Sequence, residues 1–236
     1  MTRTPNAVWL TTPHHILVEI AKDLGFRRFV LDIEHGVFDL DQTDRLIAMI
    51  RAMEVECFAK VLGPNDIAIQ QMLDMGCDGV IIPHIGDVEN ARRVTAAAKY
   101  PPLGRRSFAG SRTSGYSNAD DAWYAAENER SKCFPMIETA EALADIDKIL
   151  ALETVDGVFL GPTDLSLSRG RGAYGNTPAD HADLITVALA AKAAGKNWIM
   201  PAWSAAERSL AEQYGAAFSV TADEVGVLAT GLEATR

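Results

Sequence analysis

Several residues able to do chemistry stand directly behind apolar runs. Asp32, Glu34 and His35 close "LDIEHG", Lys60 lies in "CFAKVL", and His84 ends "DGVIIPH". Glu138 ends "KCFPMIE", and Asp164 follows "DGVFLGPT". If the runs behind Glu138 and Asp164 are neighbouring strands, their carboxylates come within reach of one ion. Two oxygen ligands with open positions for water and substrate suit Mg²⁺ or Mn²⁺, with Co²⁺ also open, better than a closed zinc site. The same carboxylates could instead cap the helices that follow, in competition with Thr139 and Ser166. His35, beside two acids, is a candidate general base whose tautomer a carboxylate would fix, or else a surface histidine tied to a loop. Lys60 reads in three ways: a Schiff-base nucleophile, an anchor for an anionic substrate, or a structural lysine. Nearby carboxylates stabilise its charged form and favour the anchor.

The elements that position these residues follow from apolar patterning. Eight short runs at 7–10, 28–35, 57–62, 78–84, 132–138, 156–161, 197–202 and 217–223 are nearly continuous in apolarity, as strands covered on both faces require. Segments of helical period lie between them, such as 39–53 and 139–152, and Gly25, Gly76, Gly195 and Gly215 stand where helices should end. Eight βα units in one 236-residue chain predict a single-domain (β/α)8 TIM barrel over 1–236, with an open doubly wound sheet as the alternative. Chemistry then collects at the strand C-termini. Asp74 falls in the helix before strand four, near the opposite end, where its own rim is out of reach. The stretch 100–121 is irregular and is expected to be a rim loop, with Arg105, Arg106 and Arg112 suggesting carboxylate recognition.

The net charge of −10 and the absence of a Lys/Arg-rich run argue against nucleic acid or an anionic membrane as partner. No apolar run approaches the length of a membrane span. Three dispersed cysteines (Cys57, Cys77, Cys133) support neither a disulfide framework nor a zinc site, and the expected compartment is the cytoplasm.

The segments "VEIAKDLGFRRFVLDIEHG", "LDMGCDGVIIPHI", "YPPLGRRS" and "IETAEALADIDKILALETVDGVFLGPTDLSLSRG" resemble the HpcH/HpaI-type class II, pyruvate-dependent aldolases over nearly the whole chain. The resemblance implies a homo-oligomeric barrel, a hexamer built from dimers. It implies a carbon–carbon lyase that reversibly cleaves a 4-hydroxy-2-oxo acid into pyruvate, or a related 2-keto acid, and an aldehyde, through an enolate stabilised by a divalent metal. It makes Glu138 and Asp164 the metal ligands and His35 the proton-transfer residue. Asp74 becomes a carboxylate that partners the histidine across a subunit interface. Trp9 becomes the aromatic wall of the keto-acid pocket, and Gly161, Pro162 and Thr163 the turn that holds the substrate carboxylate. Arg106 and Lys60 are further candidates for substrate contact. Three positions depart from the family pattern: Lys60 for an arginine, Met136 for a glutamine and Ser107 for a glycine. An ammonium is no bidentate guanidinium, so these departures leave the donor keto acid open. Oxaloacetate decarboxylation, enolate condensation with another acceptor, and a barrel that binds a keto acid without turnover remain alternatives.

Overall fold

The computed structural model describes residues 5–236. Eight parallel strands close into a barrel in strict sequence order. They are β1 (Asn6–Leu10), β2 (Arg28–Asp32), β3 (Glu56–Lys60), β4 (Gly79–Ile82), β5 (Lys132–Ile137), β6 (Gly157–Leu160), β7 (Asn197–Pro201) and β8 (Phe218–Asp223). The expected TIM barrel is therefore the observed fold, and the open sheet is excluded by the pairing of β1 with β8.

The helical layer begins with α1 (His15–Asp23), α2 (Leu40–Ala52), α3 (Asp66–Met75) and α4 (Val88–Thr95), followed by α5 (Asp121–Arg130). It continues with α6 (Ala140–Ala144), α7 (Ile146–Leu150), α8 (Pro162–Ser168), α9 (Pro178–Ala193), α10 (Ala205–Gln213) and α11 (Glu224–Glu233). The helical pattern at 139–152 is thus two short helices, broken at Asp145, whose carboxylate accepts the Val88 N–H and pairs with Lys148. Gly25, Gly76, Gly195 and Gly215 all take positive φ near helix C-termini, the conformation in which a side chain is strained. Among the described residues no helix is long and apolar enough to cross a membrane.

Alternation along each strand divides the core into two. Outward side chains pack under the helices, while Val30, Phe58, Ile81, Phe134, Phe159 and Phe218 are among those filling the interior. Phe58 touches both Phe134 and Phe218, at ring-centroid distances of 6.0 and 5.0 Å. The barrel is a packed plug, so any ligand must lie above it, at the strand C-termini.

The stretch 100–121 follows α4 and precedes α5 and β5, so in chain order it leaves a helix and not a strand, and its Arg105 pairs with Asp66 at the start of α3. It crosses the outer face of α3, with a single 3₁₀ turn at Arg112–Ser114.

Candidate active site

The site is built from the ends of β1 to β6. β2 stops at Asp32, earlier than its apolar run suggests, because the chain turns there: Asp32 Oδ1 accepts the His35 N–H at 3.1 Å and the Asp32 carbonyl accepts the Gly36 N–H at 2.9 Å. Gly36 is required in this turn, since a Cβ would lie 2.3 Å from the Asp32 carbonyl oxygen. The turn delivers Glu34 to the barrel mouth and leaves the His35 ring exposed. Asp32 is itself buried and accepts the Trp9 indole N–H at 3.2 Å, while the Trp9 ring packs on Phe159. Trp9 thereby stands as a wall between floor and mouth. The chain just after β1 is pinned by the buried Glu224, which accepts the backbone N–H groups of Thr11 and Thr12.

Lys60 ends β3 and is buried with its Nζ 2.7 Å from Glu34 Oε2 and 3.7 Å from Asp32 Oδ1. An ammonium committed to two carboxylates is a poor Schiff-base nucleophile. Glu34 also meets the His84 ring through Oε1 and lies 3.5 Å from His35 Nε2. Burial pushes the Glu34 carboxyl up, but Lys60, His84 and His35 together outweigh burial and hold it below the ordinary carboxylate range.

Glu138 follows β5 directly. Thr139, not Glu138, caps α6, accepting the Ala142 N–H at 3.0 Å. Capping therefore does not explain Glu138, which is buried with Oε1 accepting the His84 backbone N–H at 2.5 Å. Its Oε2 faces Gly161, where a Cβ would come within 3.0 Å of that oxygen and of Met136 Cε. Burial raises the Glu138 pKa, and the negative charge of Asp164 raises it further. The His84 N–H and Lys60 only partly offset this.

Asp164 is exposed in the first turn of α8 and has no hydrogen-bond or ion-pair partner among the described residues. Gly161 is the N-cap of α8 without a side-chain cap, and Pro162 at the first position has no N–H, so the N–H groups of Thr163 and Asp164 open into the mouth. The negative charge of Asp164 adds to burial in making ionisation of Glu138 costly, and no lysine or arginine among the described residues pairs with either carboxylate; the His84 ring is nearest, its Nδ1 3.8 Å from Glu138 Oε1. That arrangement fits a bound divalent cation. The described residues contain no cluster of three or more His, Cys, Asp or Glu side chains of metal-binding geometry, so the donor set is this pair alone.

The remaining candidates fall outside the mouth. Arg106 is a correction: its guanidinium is fully buried, donates to Asp74 at 2.7 Å and to Glu127 at 3.3 Å, and lies 4.7 Å from the centre of the Tyr100 ring. It is turned away from the mouth of its own barrel, and its Nε has no partner among the described residues. Arg105 pairs with Asp66, and Arg112 makes a two-pronged pair with Asp44 at 2.8 Å, so the expected carboxylate recognition by these arginines is also withdrawn. Asp74 lies near the end of α3, beside a surface depression of about 550 Å³ between α3 and the insert, and not at its own rim. From sequence, Asp32 and Glu34 are expected only as acids able to fix the His35 tautomer, and His84 carries no role. Their position at strand ends was the available signal.

Comparison with known proteins places this geometry. Residues 6–220 match the family model described as HpcH/HpaI aldolase/citrate lyase. The chain belongs to this family. A 4-hydroxy-2-oxovalerate aldolase of Novosphingobium aromaticivorans is 32% identical over 69% of the chain and 62% of that protein's own length. A hydroxypyruvate/pyruvate aldolase of Rhizorhabdus wittichii is 33% identical over 80% of the chain and 76% of its length. The crystal structure of an HpcH/HpaI aldolase from Desulfitobacterium hafniense superposes with a TM-score of 0.90 at 27% identity, covering 99% of this chain and 91% of that one. The chain thus spans just under two thirds of the first relative and about three quarters of the second. The family, by its description, is one of aldolases and citrate lyases.

Proposed function

We propose that this chain is a class II aldolase that reversibly cleaves a 4-hydroxy-2-oxo acid into pyruvate, or a related 2-keto acid, and an aldehyde. The observation that carries the reading is the buried Glu138 beside Asp164, a carboxylate pair at the tops of β5 and β6 that pairs with no lysine or arginine among the described residues and whose charge the His84 ring and Lys60 offset only in part. These two residues would hold Mg²⁺ or Mn²⁺. Bound there, the ion supplies Lewis-acid stabilisation of charge developing on a keto oxygen, worth several kcal/mol, roughly.

The chain's own residues do the rest. The N–H groups of Thr163 and Asp164 point at the carboxylate of the keto acid, with Gly161 and Pro162 shaping the turn. The Trp9 ring closes one side of the donor pocket. Lys60 keeps Glu34 charged and sets the electrostatics beside the keto group. In cleavage His35 takes the proton from the 4-hydroxyl, the C3–C4 bond breaks, its electron pair stays on the keto-acid fragment as the enolate, and the aldehyde departs. A proton delivered to C3 completes the 2-keto acid. Positioned base catalysis of this kind is worth about 10²–10⁴-fold.

Asp74 acts in a neighbouring subunit of a homo-oligomer, a hexamer built from dimers. Its place on the outer face of α3, held by Arg106, supports a role directed away from its own barrel. The three free, buried thiols agree with a cytoplasmic enzyme. The test is exchange of the pyruvate methyl hydrogens with deuterium in Mn²⁺, Mg²⁺ or EDTA, run beside an aldehyde screen and an oxaloacetate decarboxylation assay. Cation-dependent exchange together with carbon–carbon bond formation upholds the reading. Decarboxylation alone, or pyruvate binding without exchange, overturns it.

A further inference from the structure

The last helix of the barrel buries one of its residues, and that residue is charged. In α11 the apolar Val225 and Leu232 are 65% and 68% exposed, whereas Glu224 is 5% exposed. Its carboxylate does not cap its own helix, because Asp223 does so by accepting the Gly226 N–H at 2.7 Å. It reaches instead across the seam between β8 and β1. Glu224 Oε2 accepts the backbone N–H groups of Thr11 and Thr12 at 3.0 and 2.9 Å and the Thr11 hydroxyl at 3.3 Å. Oε1 accepts the Thr12 hydroxyl. Four donors on one carboxylate offset the cost of burying its charge.

The segment held in this way is the seat of the β2 turn. The Thr11 carbonyl accepts the Val37 N–H at 2.7 Å, and a Cβ on Gly36 would lie 2.6 Å from the same oxygen. Within the turn, Asp32 accepts the His35 N–H through Oδ1 and the Trp9 indole N–H through Oδ2. The end of β1 is therefore tied to the β2 turn twice, through Trp9 to Asp32 and through Thr11 to Val37. The two ties flank His35 in the chain. Glu224 fixes the second of them, since it grips the same residue whose carbonyl receives Val37. Without the carboxylate, the Thr11 and Thr12 N–H groups lose their acceptor and must turn towards water. Thr11 takes its carbonyl with it, and the His35 turn loses its support.

We infer that Glu224 is a positioning residue for the reaction, holding the His35 turn in place through Thr11 and Thr12. The inference rests on the aldolase reading above, in which His35 moves the proton. The hydrogen bonds of Glu224 run to Thr11 and Thr12 and not to the proposed ion ligands.

The experiment is a double-mutant cycle of Glu224→Ala and His35→Ala, at a temperature where every variant is folded. It reads kcat/KM for aldol addition of pyruvate to glycolaldehyde in Mn²⁺, with the fastest acceptor of the aldehyde screen substituted if glycolaldehyde is not turned over. Glu224→Ala alone should lower kcat by roughly tenfold to hundredfold, the scale of a misplaced catalytic group, and change the KM for pyruvate far less. In the His35→Ala background the same substitution should cost less than about threefold, because the group it positions is already gone. A residue that only supports the fold would impose its full loss in both backgrounds. Glu224→Gln presents an amide oxygen to both N–H groups and an NH₂ to the Thr12 hydroxyl, and should keep most of the wild-type rate. If Glu224→Ala does not fold, Glu224→Asp, whose carboxylate is drawn back by one methylene, takes its place in the cycle. Equal losses in both backgrounds, or a wild-type kcat in the single variant, overturn the inference and leave the aldolase reading standing. Absence of pyruvate exchange and of addition with every aldehyde in the wild-type protein overturns both.

Discussion

Lys60 Nζ lies 2.7 Å from Glu34 Oε2, an ion pair in which both side chains are more than nine-tenths buried. Removing one member of such a pair strands the other charge. Lys60→Met should therefore cost about 3 kcal/mol in urea unfolding at neutral pH, within the range for broken buried pairs, and Lys60→Met/Glu34→Gln should recover most of it. The sign with pH is fixed by the lowered Glu34 pKa. Its contribution is present above the ordinary carboxylate range and is lost as pH falls through the folded-state value. The acid limb of the stability curve should flatten in the double variant. Pyruvate with borohydride should leave no adduct on Lys60, as mass spectrometry would show.

Glu138 has the opposite sign. Its pKa is raised by burial and by Asp164, so the native state binds its proton more tightly than the unfolded chain does. Without a cation, this group lowers stability as pH rises through that window, and the loss persists above it. Glu138→Gln should raise the melting temperature of the metal-free protein at neutral pH by a few degrees, roughly, and abolish the stabilisation that Mn²⁺ gives the wild type. An unchanged Mn²⁺-induced shift would remove Glu138 from the ion site.

Gly161 is in ordinary negative-φ backbone, so alanine brings no backbone strain there. The new Cβ would instead stand 2.8 Å from Glu138 Cβ and 3.0 Å from Oε2. Gly161→Ala should fold, with a destabilisation of about 1–3 kcal/mol from overpacking, and should weaken Mn²⁺ affinity by isothermal titration. Full affinity would mean that Glu138 has no need of this close approach.

Arg106→Met tests scaffold against substrate contact. It leaves Asp74 without its guanidinium and the buried Glu127 paired with Arg130 alone, and should lower stability by about 1.5–3 kcal/mol, the scale of a lost hydrogen bond between charged groups. At a temperature where the variant is folded, the KM for pyruvate should be unchanged in a protein whose subunits remain assembled. A raised KM with intact stability would return Arg106 to the substrate.

His35→Ala should lower turnover by about 10²–10⁴-fold without moving the Mn²⁺-induced melting shift, because the ring touches Glu34 and neither Glu138 nor Asp164.

The barrel was legible because strands buried on both faces write themselves as unbroken apolar runs, and the Glu138–Asp164 pair was legible because strand ends in a barrel are its rim. Other features were hidden for physical reasons. β2 ends at Asp32 through a side-chain hydrogen bond to His35, which no alternation pattern records. The arginines looked free because their acids, Asp44, Asp66, Asp74 and Glu127, lie from 21 to 68 residues away in the chain. His84 was visible as a strand-end residue, but its left-handed backbone was not.

The ring-filled barrel interior sets the kinetic scheme. A plugged cylinder has one doorway, and in the proposed reaction the keto acid would take the deeper berth beside Trp9, with the aldehyde outside it. Addition must then be sequential and ordered, keto acid first, with the aldehyde the first product out in the reverse direction. High aldehyde concentrations would block the entrance and show as substrate inhibition competitive with pyruvate.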